Sequence, residues 1–117
     1  MRPWETFTNQ QQWRNYLQTL VRTNDKALVR AIMVVYGRQT EHEKYYGVTV
    51  EENGMGFGKV DAEFFTSLVA QLQAGRRLSE KQLAIARNKM PKYWRQLMIV
   101  SKEKMAKEER DAKREKD

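Results

Sequence analysis

Residues 75–97 have the sequence GRRLSEKQLAIARNKMPKYWRQL, which contains three helix-boundary signals. Gly75 is typical of a helix end, because glycine readily adopts the positive φ that closes a helix. Ser79 and Gln82 have the spacing of a capping box, in which each side chain binds a backbone amide of the other residue. Pro91 has no amide hydrogen, so it predicts a kink or a break in the helix that begins at Ser79.

The apolar positions on both sides of these signals extend the helical pattern. Downstream, the apolar side chains at helical spacing are Leu83, Ala86, Met90, Tyr93, Leu97 and Val100. Upstream, Asp61 is expected to cap a third helix, because its carboxylate can accept a hydrogen bond from a first-turn amide. Phe64, Leu68 and Leu72 are expected to face inward in that helix, which should end at Gly75.

Two further helices are predicted nearer the N-terminus. The first spans about residues 8–22, and Thr8 with Gln11 resembles a capping box. Its apolar side chains recur at helical spacing and are Trp13, Leu17, Leu20 and Val21. The second begins at Asn24 or Asp25, since both side chains are good helix caps.

The second helix is expected to end near Gly37, after which residues 38–60 break the helical pattern. Residues 45–50, YYGVTV, are aromatic and β-branched, which favours a strand. The dipeptide Asn53-Gly54 is a strong turn signal, because both residues tolerate positive φ. This segment therefore predicts a short β-hairpin or an ordered glycine-rich loop before the third helix.

The whole pattern predicts a mainly α-helical small domain with four main helices, formed by residues 1–100. A chain of 117 residues suits one domain with one modest core. Residues 101–117 contain few apolar side chains, and Glu103–Lys107 and Glu109–Lys113 are pairs at i,i+4 spacing. They predict a charged, solvated helical extension or a mobile tail.

The composition excludes several classes of protein. There is no cysteine, which excludes disulfide scaffolds, cysteine-ligated zinc sites and cysteine nucleophiles. The N-terminal segment lacks the apolar core of a signal peptide. No stretch approaches the roughly 18 apolar residues of a membrane span. We therefore expect a soluble intracellular domain without a membrane partner.

The positive charge is concentrated in one segment. The net charge is +7, but residues 1–75 sum to zero and residues 96–117 to +1. Residues 76–95 hold seven Lys/Arg against one Glu, a net charge of +6. Clustered cations are typical of phosphate binding, although a solvated helix face gives the same pattern.

The glycines at positions 54, 56 and 58 raise the possibility of a phosphate-binding loop. A Walker A loop fails at two fixed positions, since Asn53 replaces its first glycine and Val60 follows its lysine. A Rossmann fingerprint fails because the spacing is Gly-x-Gly-x-Gly and no second parallel strand is predicted. A turn that leads into the third helix is therefore favoured.

Several short motifs lie between residues 25 and 100, and one of them is Arg-Gln-Thr at 38–40. The others are Asn53-Gly54, Gly56-Phe57, Asp61-Ala62, Ser67-Leu68, Gly75-Arg76, Leu78-Ser79, Lys81-Gln82-Leu83, Ala86-Arg87, Lys89, Lys92-Tyr93 and Gln96-Leu97. On these residues the chain resembles a small module of phage and plasmid proteins, found alone or appended to helicase-like and other DNA-metabolism proteins. It departs from that pattern at Trp94 and Arg95 and in residues 98–104.

The resemblance implies a role in mobile-element DNA biology, and hence the cytoplasm of a bacterial host cell. It implies no catalytic role and no cofactor. His42 lies between two glutamates, where a surface histidine is expected. Metal-dependent nucleases pair an Asp with Glu-x-Lys or Gln-x-Lys, a spacing that this chain lacks. Asp61 and Glu63 could form an acidic cluster with residues 51–52, but Asp61 suits a helix cap better. We therefore predict that the protein is not an enzyme.

Non-enzymatic nucleic-acid binding is the leading hypothesis, with DNA favoured over RNA. On a helical wheel Lys81, Lys92 and Arg95 fall within about 60° of one another, opposite the apolar face. Trp94, at the edge of that face, could stack an exposed base. The predicted nucleic-acid-binding residues, called the basic stripe below, are Arg76, Arg77, Lys81, Arg87, Lys89, Lys92, Trp94 and Arg95. The chain would serve as an accessory factor in DNA metabolism.

The alternative is a protein-binding module, either an adaptor or an inhibitor of a host nucleic-acid-processing or defence enzyme. Ile85 and Ile99 fall near the charged face of the fourth helix, which suits a protein contact. The acidic segment 41–63 and the charged tail are further candidate contact surfaces. Oligomeric state is left open by the sequence.

Overall fold

The computed structural model describes residues 3–46 and 56–115, with side chains described at 4–38 and 56–113. The α-helices in these ranges are α1 (Gln10–Thr23), α2 (Asp25–Tyr46), α3 (Lys59–Gln73), α4 (Glu80–Lys89) and α5 (Trp94–Glu115). Two short 3-10 helices are η1 (Pro3–Thr6) and η2 (Met90–Tyr93). Across the described ranges there is no strand, so the prediction of a mainly α-helical small domain is confirmed.

The start of α1 corrects the predicted capping box by one residue. Asn9, not Thr8, is the cap: its side chain accepts a hydrogen bond from the Gln12 amide at 3.0 Å. The Gln12 side chain in turn accepts the Asn9 amide at 3.3 Å and the Thr8 amide at 2.6 Å. Gln11 instead bonds along the exposed face to Asn15.

Helix α2 is longer than expected. Asn24 accepts the amide of Ala27 at 3.1 Å, so the predicted cap is confirmed. The predicted end near Gly37 is wrong, because α2 continues to Tyr46. A glycine inside a helix costs only about 1 kcal/mol, so it need not end the helix, and Arg38, the next residue, donates a hydrogen bond to Gln96 of α5. The predicted hairpin falls largely on residues 47–55, outside the described ranges, although the aromatic pair at 45–46 is helical.

Helix α3 begins earlier than predicted and ends as predicted. Its N-cap is Gly58, which has no side chain, whereas Asp61 lies inside the first turn and is buried. At the other end Gly75 has φ +80°. The Arg76 amide donates to the Gln71 carbonyl and the Gly75 amide to that of Leu72, both at 3.0 Å, the bonding of a Schellman motif.

Pro91 divides the predicted fourth helix into α4 and α5. The Ser79–Gln82 capping box is present, with side-chain bonds of 3.1 and 2.9 Å. Helix α4 then ends at Lys89, η2 holds the proline near its start, and α5 begins at Trp94. Within the described ranges the charged C-terminal segment is a helical continuation of α5 with mostly exposed side chains.

The core forms around α2, which packs against α1, α3, α4, α5 and η2. Its buried apolar side chains are Trp13, Leu17, Val21, Leu28, Ala31, Ile32, Val35, Phe57, Phe65, Leu68, Val69, Ala86, Met90, Tyr93, Leu97 and Met98. Trp4 stacks on Trp13 with ring centroids 6.3 Å apart, and Phe7 meets the same ring edge-on at 5.3 Å. This packing fixes the relative positions of the helix ends that carry the charged side chains.

Candidate nucleic-acid interface

Asp61 joins the first turn of α3 to η2 and the end of α4. The residue is only 1% exposed. One carboxylate oxygen accepts a hydrogen bond from the Lys89 ammonium at 3.0 Å. The other accepts the Tyr93 hydroxyl at 2.7 Å and forms an ion pair with Lys92. The expected helix cap is thus instead a buried acceptor for three side chains, which also aims Lys92.

These contacts shift the pKa values of the buried groups in opposite senses. Burial would raise the pKa of Asp61, but hydrogen bonds from Lys92, Tyr93 and Lys89 outweigh it and lower the pKa to about 2. Burial, and then the hydrogen bond to Asp61, raise the pKa of Tyr93 well above its ordinary value. At neutral pH Asp61 is therefore charged and Tyr93 is neutral, which is the pairing that the hydrogen bond requires.

Gln96 on α5 anchors the glycine-rich segment that precedes α3. Its side-chain oxygen accepts the Gly56 amide at 2.8 Å, and its amide nitrogen donates to the Gly56 carbonyl at 2.7 Å. The same oxygen accepts a hydrogen bond from Nε of Arg38 at 3.1 Å, and this bond connects the middle of α2 to the site. Gly56 has φ +93°, a conformation that glycine adopts without strain.

The next two residues, Phe57 and Gly58, contact α3 and η2. Phe57 is buried and stacks on Phe65, with ring centroids 4.3 Å apart and planes 11° from parallel. The Gly58 amide donates to the Tyr93 hydroxyl oxygen at 3.0 Å. Gly56 and Gly58 therefore allow a close backbone connection into α3, in agreement with the predicted turn.

A cleft of about 830 Å³ opens where α3 and α5 begin, and it is called the first cleft below. Its lining cations are Arg38, Lys59, Lys92 and Arg95. Asp61 also lines it, but this carboxylate is buried beneath the cations that bind it. The lining residues carry a net charge of +3, so the cleft attracts anions.

Apolar and aromatic groups lie among these cations. Trp94, Val60 and Ile99 line the cleft, and Val60 is 89% exposed. The Arg95 guanidinium lies 5.4 Å from the centroid of the Trp94 ring, a cation–π distance. The cleft thus combines groups that bind phosphate with a ring that can stack on a base.

The structure divides the basic stripe between two places. Lys92, Trp94 and Arg95 line the first cleft. Arg76 and Arg77 line a second cleft at the other end of α3, together with Lys26 and Arg30 of α2. Lys81 is exposed and lines neither of these clefts.

Three members of the basic stripe are paired with carboxylates of the fold. Arg87 binds both oxygens of Asp25, at 2.9 and 3.0 Å from Nη2, and also bonds to Glu80 at 3.0 Å. Lys89 and Lys92 both pair with the buried Asp61. These contacts tie α4 to the start of α2 and to α3, and they compensate the charges that the sequence assigned to nucleic acid.

Sequence reasoning missed four cations that line the clefts, namely Lys26, Arg30, Arg38 and Lys59. They lie outside the segment of concentrated charge, in a region of the sequence whose net charge is zero. Only the packing of α2 against α3, α4 and α5 brings them beside the basic stripe. The nearest signal in the sequence was Arg38, within the Arg-Gln-Thr motif of the resemblance.

Neither a candidate metal-binding cluster nor a membrane-spanning helix is found in the described part of the chain. There, no three His, Cys, Asp or Glu side chains come together in a way that could hold a metal ion. The acids considered at 51–52 lie outside the described ranges. Among the described helices, none is long and apolar enough to cross a bilayer.

Comparison of the chain with protein families, with curated proteins and with solved structures found no match in any of the three.

Proposed function

We propose that this protein binds single-stranded nucleic acid without catalysing a reaction, and that the strand lies in the first cleft. The observation that carries the proposal is the placement of Arg38, Lys92 and Arg95 beside the half-buried ring of Trp94 and the exposed side chain of Val60. Cations that follow a phosphate backbone and aromatic rings that stack on bases are the usual elements of single-strand binding sites.

The chemistry of the cleft favours a flexible strand over a duplex. Stacking on Trp94 requires a base that is free of its pairing partner, and such a contact is worth about 1–3 kcal/mol. The Arg95 guanidinium can cover one face of the indole and still direct N–H groups toward a phosphate. A stacked base and neighbouring phosphates can therefore be bound by adjacent residues of α5.

The biological setting follows from the resemblance and is part of the same proposal. The chain acts as an accessory factor in DNA metabolism of a phage or other mobile element, in the cytoplasm of a bacterial host. DNA is the preferred ligand over RNA.

The direct test is fluorescence anisotropy of labelled single-stranded DNA, duplex DNA and RNA between about 50 and 200 mM salt. Single-stranded DNA should bind tightest, and log K should fall with log salt at a slope of about −2 to −3, for three or four phosphate contacts. The proposal would be overturned if none of the three nucleic acids bound to the protein at low salt.

Matched variants locate the site. Arg95→Ala should reduce the salt slope by about 0.7, and Trp94→Leu should weaken binding about tenfold without changing the slope. Arg110→Ala is the control, because it removes the same charge from an exposed position further along α5. Equal losses for Arg95→Ala and Arg110→Ala would show that the net charge, and not the first cleft, attracts the ligand.

A further inference from the structure

The second cleft has a chemistry of its own. It has a volume of about 660 Å³ and lies between the start of α2, the end of α3 and the beginning of α4. Its floor is aliphatic and consists of the half-buried side chains Val29, Leu72, Leu78 and Leu83. Its exposed rim cations are Lys26, Arg30, Arg76 and Arg77.

The one carboxylate among the lining residues is already bound. Asp25 lines the cleft, and both of its oxygens accept hydrogen bonds from Arg87. Arg87 itself is not among the lining residues. Among the described lining residues there are four cations and one carboxylate, a net charge of +3 around an apolar floor, and this arrangement complements a negatively charged and partly apolar ligand.

The rim that carries Arg76 and Arg77 is held by side-chain hydrogen bonds. Gln71 of α3 donates to the Arg77 carbonyl at 2.8 Å. The Gln71 and Gln82 side chains also exchange two hydrogen bonds of 3.1 and 3.0 Å across the connection between α3 and α4. With the Schellman motif at the end of α3, these bonds fix the backbone beneath both arginines before any ligand arrives, which lowers the entropic cost of binding.

The floor distinguishes this cleft from the first one. Among the described residues, none that lines the second cleft is aromatic, so an unpaired base would have no ring on which to stack. Aliphatic side chains of a peptide would be stabilised by packing on this floor, because the burial of apolar surface is favourable by roughly 25 cal/mol per Å². The two clefts lie at opposite ends of α3, about 20 Å apart at 1.5 Å per residue.

We propose that the second cleft docks an acidic, amphipathic segment of a partner protein. Carboxylates of that segment pair with the rim cations, and three apolar side chains, spaced to lie on one face of a helix, pack on Leu72, Leu78 and Leu83. This is helix-in-groove recognition, in which a few apolar anchors give the affinity and charges at the rim give the orientation. The protein would thereby hold a strand at one end of α3 and a partner at the other.

The test uses three designed peptides of about 16 residues with the isotope-labelled 117-residue chain. The first has Leu at i, i+4 and i+7 with Glu elsewhere on its polar face; the second replaces Leu with Ser, and the third replaces Glu with Lys. Only the first peptide should bind, with amide shifts at Val29, Leu78 and Leu83. Arg76→Glu combined with Arg77→Glu should weaken that binding at least tenfold.

Lys107→Glu combined with Arg110→Glu is the matched control, because it reverses the same number of charges at exposed positions of α5, and it should leave the affinity for the first peptide unchanged. Circular dichroism of the double variant checks that its fold is retained, and Leu83→Gln gives a second, charge-neutral probe of the floor that should also weaken binding. The proposal is overturned if the Ser-containing acidic peptide binds equally well, or if the shifts map to the first cleft. It is equally overturned if single-stranded DNA, rather than the peptide, shifts the residues of the second cleft.

Discussion

Asp61 illustrates how the surroundings of a residue, and not its type, determine its role. From the sequence it suits a helix cap, because an acid before an apolar helical run commonly accepts a first-turn amide. In the fold Gly58 occupies the cap and the Asp61 carboxylate points inward to Lys89, Lys92 and Tyr93. An aspartate three residues inside a helix can make such contacts only because η2 packs directly over the first turn of α3.

The lowered pKa of Asp61 predicts a pH-dependent contribution to stability. Folding lowers the pKa from 3.8 to about 2, so the stabilisation is fully present above about pH 5 and is lost as the pH falls toward 2. Asp61→Asn should therefore lower the free energy of unfolding by about 2 kcal/mol at pH 7. The difference from the wild type should shrink markedly by pH 3.

Urea unfolding at several pH values measures this difference. Glu63→Gln is the control, since it removes an exposed carboxylate from the same helix and should change the profile little. Curves for the wild type and Asp61→Asn that stay parallel from pH 7 to pH 3 would contradict the assigned role of the carboxylate.

Gln96 shows a second role that the sequence does not reveal. On the helical wheel it is a polar residue between Arg95 and Leu97, yet it is buried because it serves both backbone groups of Gly56. An unpaired buried amide would cost about 1–3 kcal/mol, so its burial depends on this partner forty residues earlier. Long-range partners of this kind cannot be identified from the spacing of residues alone.

At the scale of the elements, local signals predicted some helix boundaries well. The Ser79–Gln82 capping box, the break at Pro91 and the helix end at Gly75 are all confirmed. Each depends on interactions between residues close in sequence, so the local sequence is sufficient. The end of α2 was wrongly placed at Gly37, because the low helix propensity of one glycine costs only about 1 kcal/mol and does not by itself end a helix.

Two glycine substitutions separate helix propensity from backbone conformation. Neither Gly37 nor Gly75 has an atom within 4 Å of the position that a Cβ would take, so space is not a factor at either site. Gly37→Ala should raise the free energy of unfolding by about 0.5–1 kcal/mol, because Gly37 lies inside α2. Gly75→Ala should lower it by about 1 kcal/mol, because Gly75 has φ +80°.

Chemical unfolding of the two variants beside the wild type measures both effects. Each replacement adds one methyl group, so each is the control for the other. Changes of the same sign in the two variants would contradict the proposed helix end at Gly75 or the helical continuation of α2 through Gly37.

At the scale of the whole molecule, the C-terminal part of α5 extends beyond the core. Met105 is its last apolar side chain that packs against the core, and side chains beyond it are mostly exposed. Nearer the core, the Lys102 ammonium lies 5.9 Å from the centroid of the Trp13 ring. The predicted division of the chain near residue 100 therefore lies within a continuous helix.

Truncation after Met105 should change the free energy of unfolding by less than about 1 kcal/mol, because little apolar surface is lost. Truncation after Val100 should lower it by about 1–3 kcal/mol, since it also removes Met105 from the core surface. Thermal unfolding of the two shortened chains gives the comparison. Equal stability of both would place the end of the core before residue 101.

Local sequence is sufficient to predict the mainly α-helical class, the helix boundaries at Gly75, Ser79 and Pro91, and the concentration of positive charge in residues 76–95, because these features depend on composition or on neighbours within a few residues. Which of these charges are compensated depends instead on the packing of the helices. Arg87 pairs with Asp25, Lys89 and Lys92 pair with Asp61, and the members of the basic stripe that line a cleft are divided between the two clefts. Electrostatic complementarity depends on distance in space, and helix packing sets those distances between residues far apart in the chain.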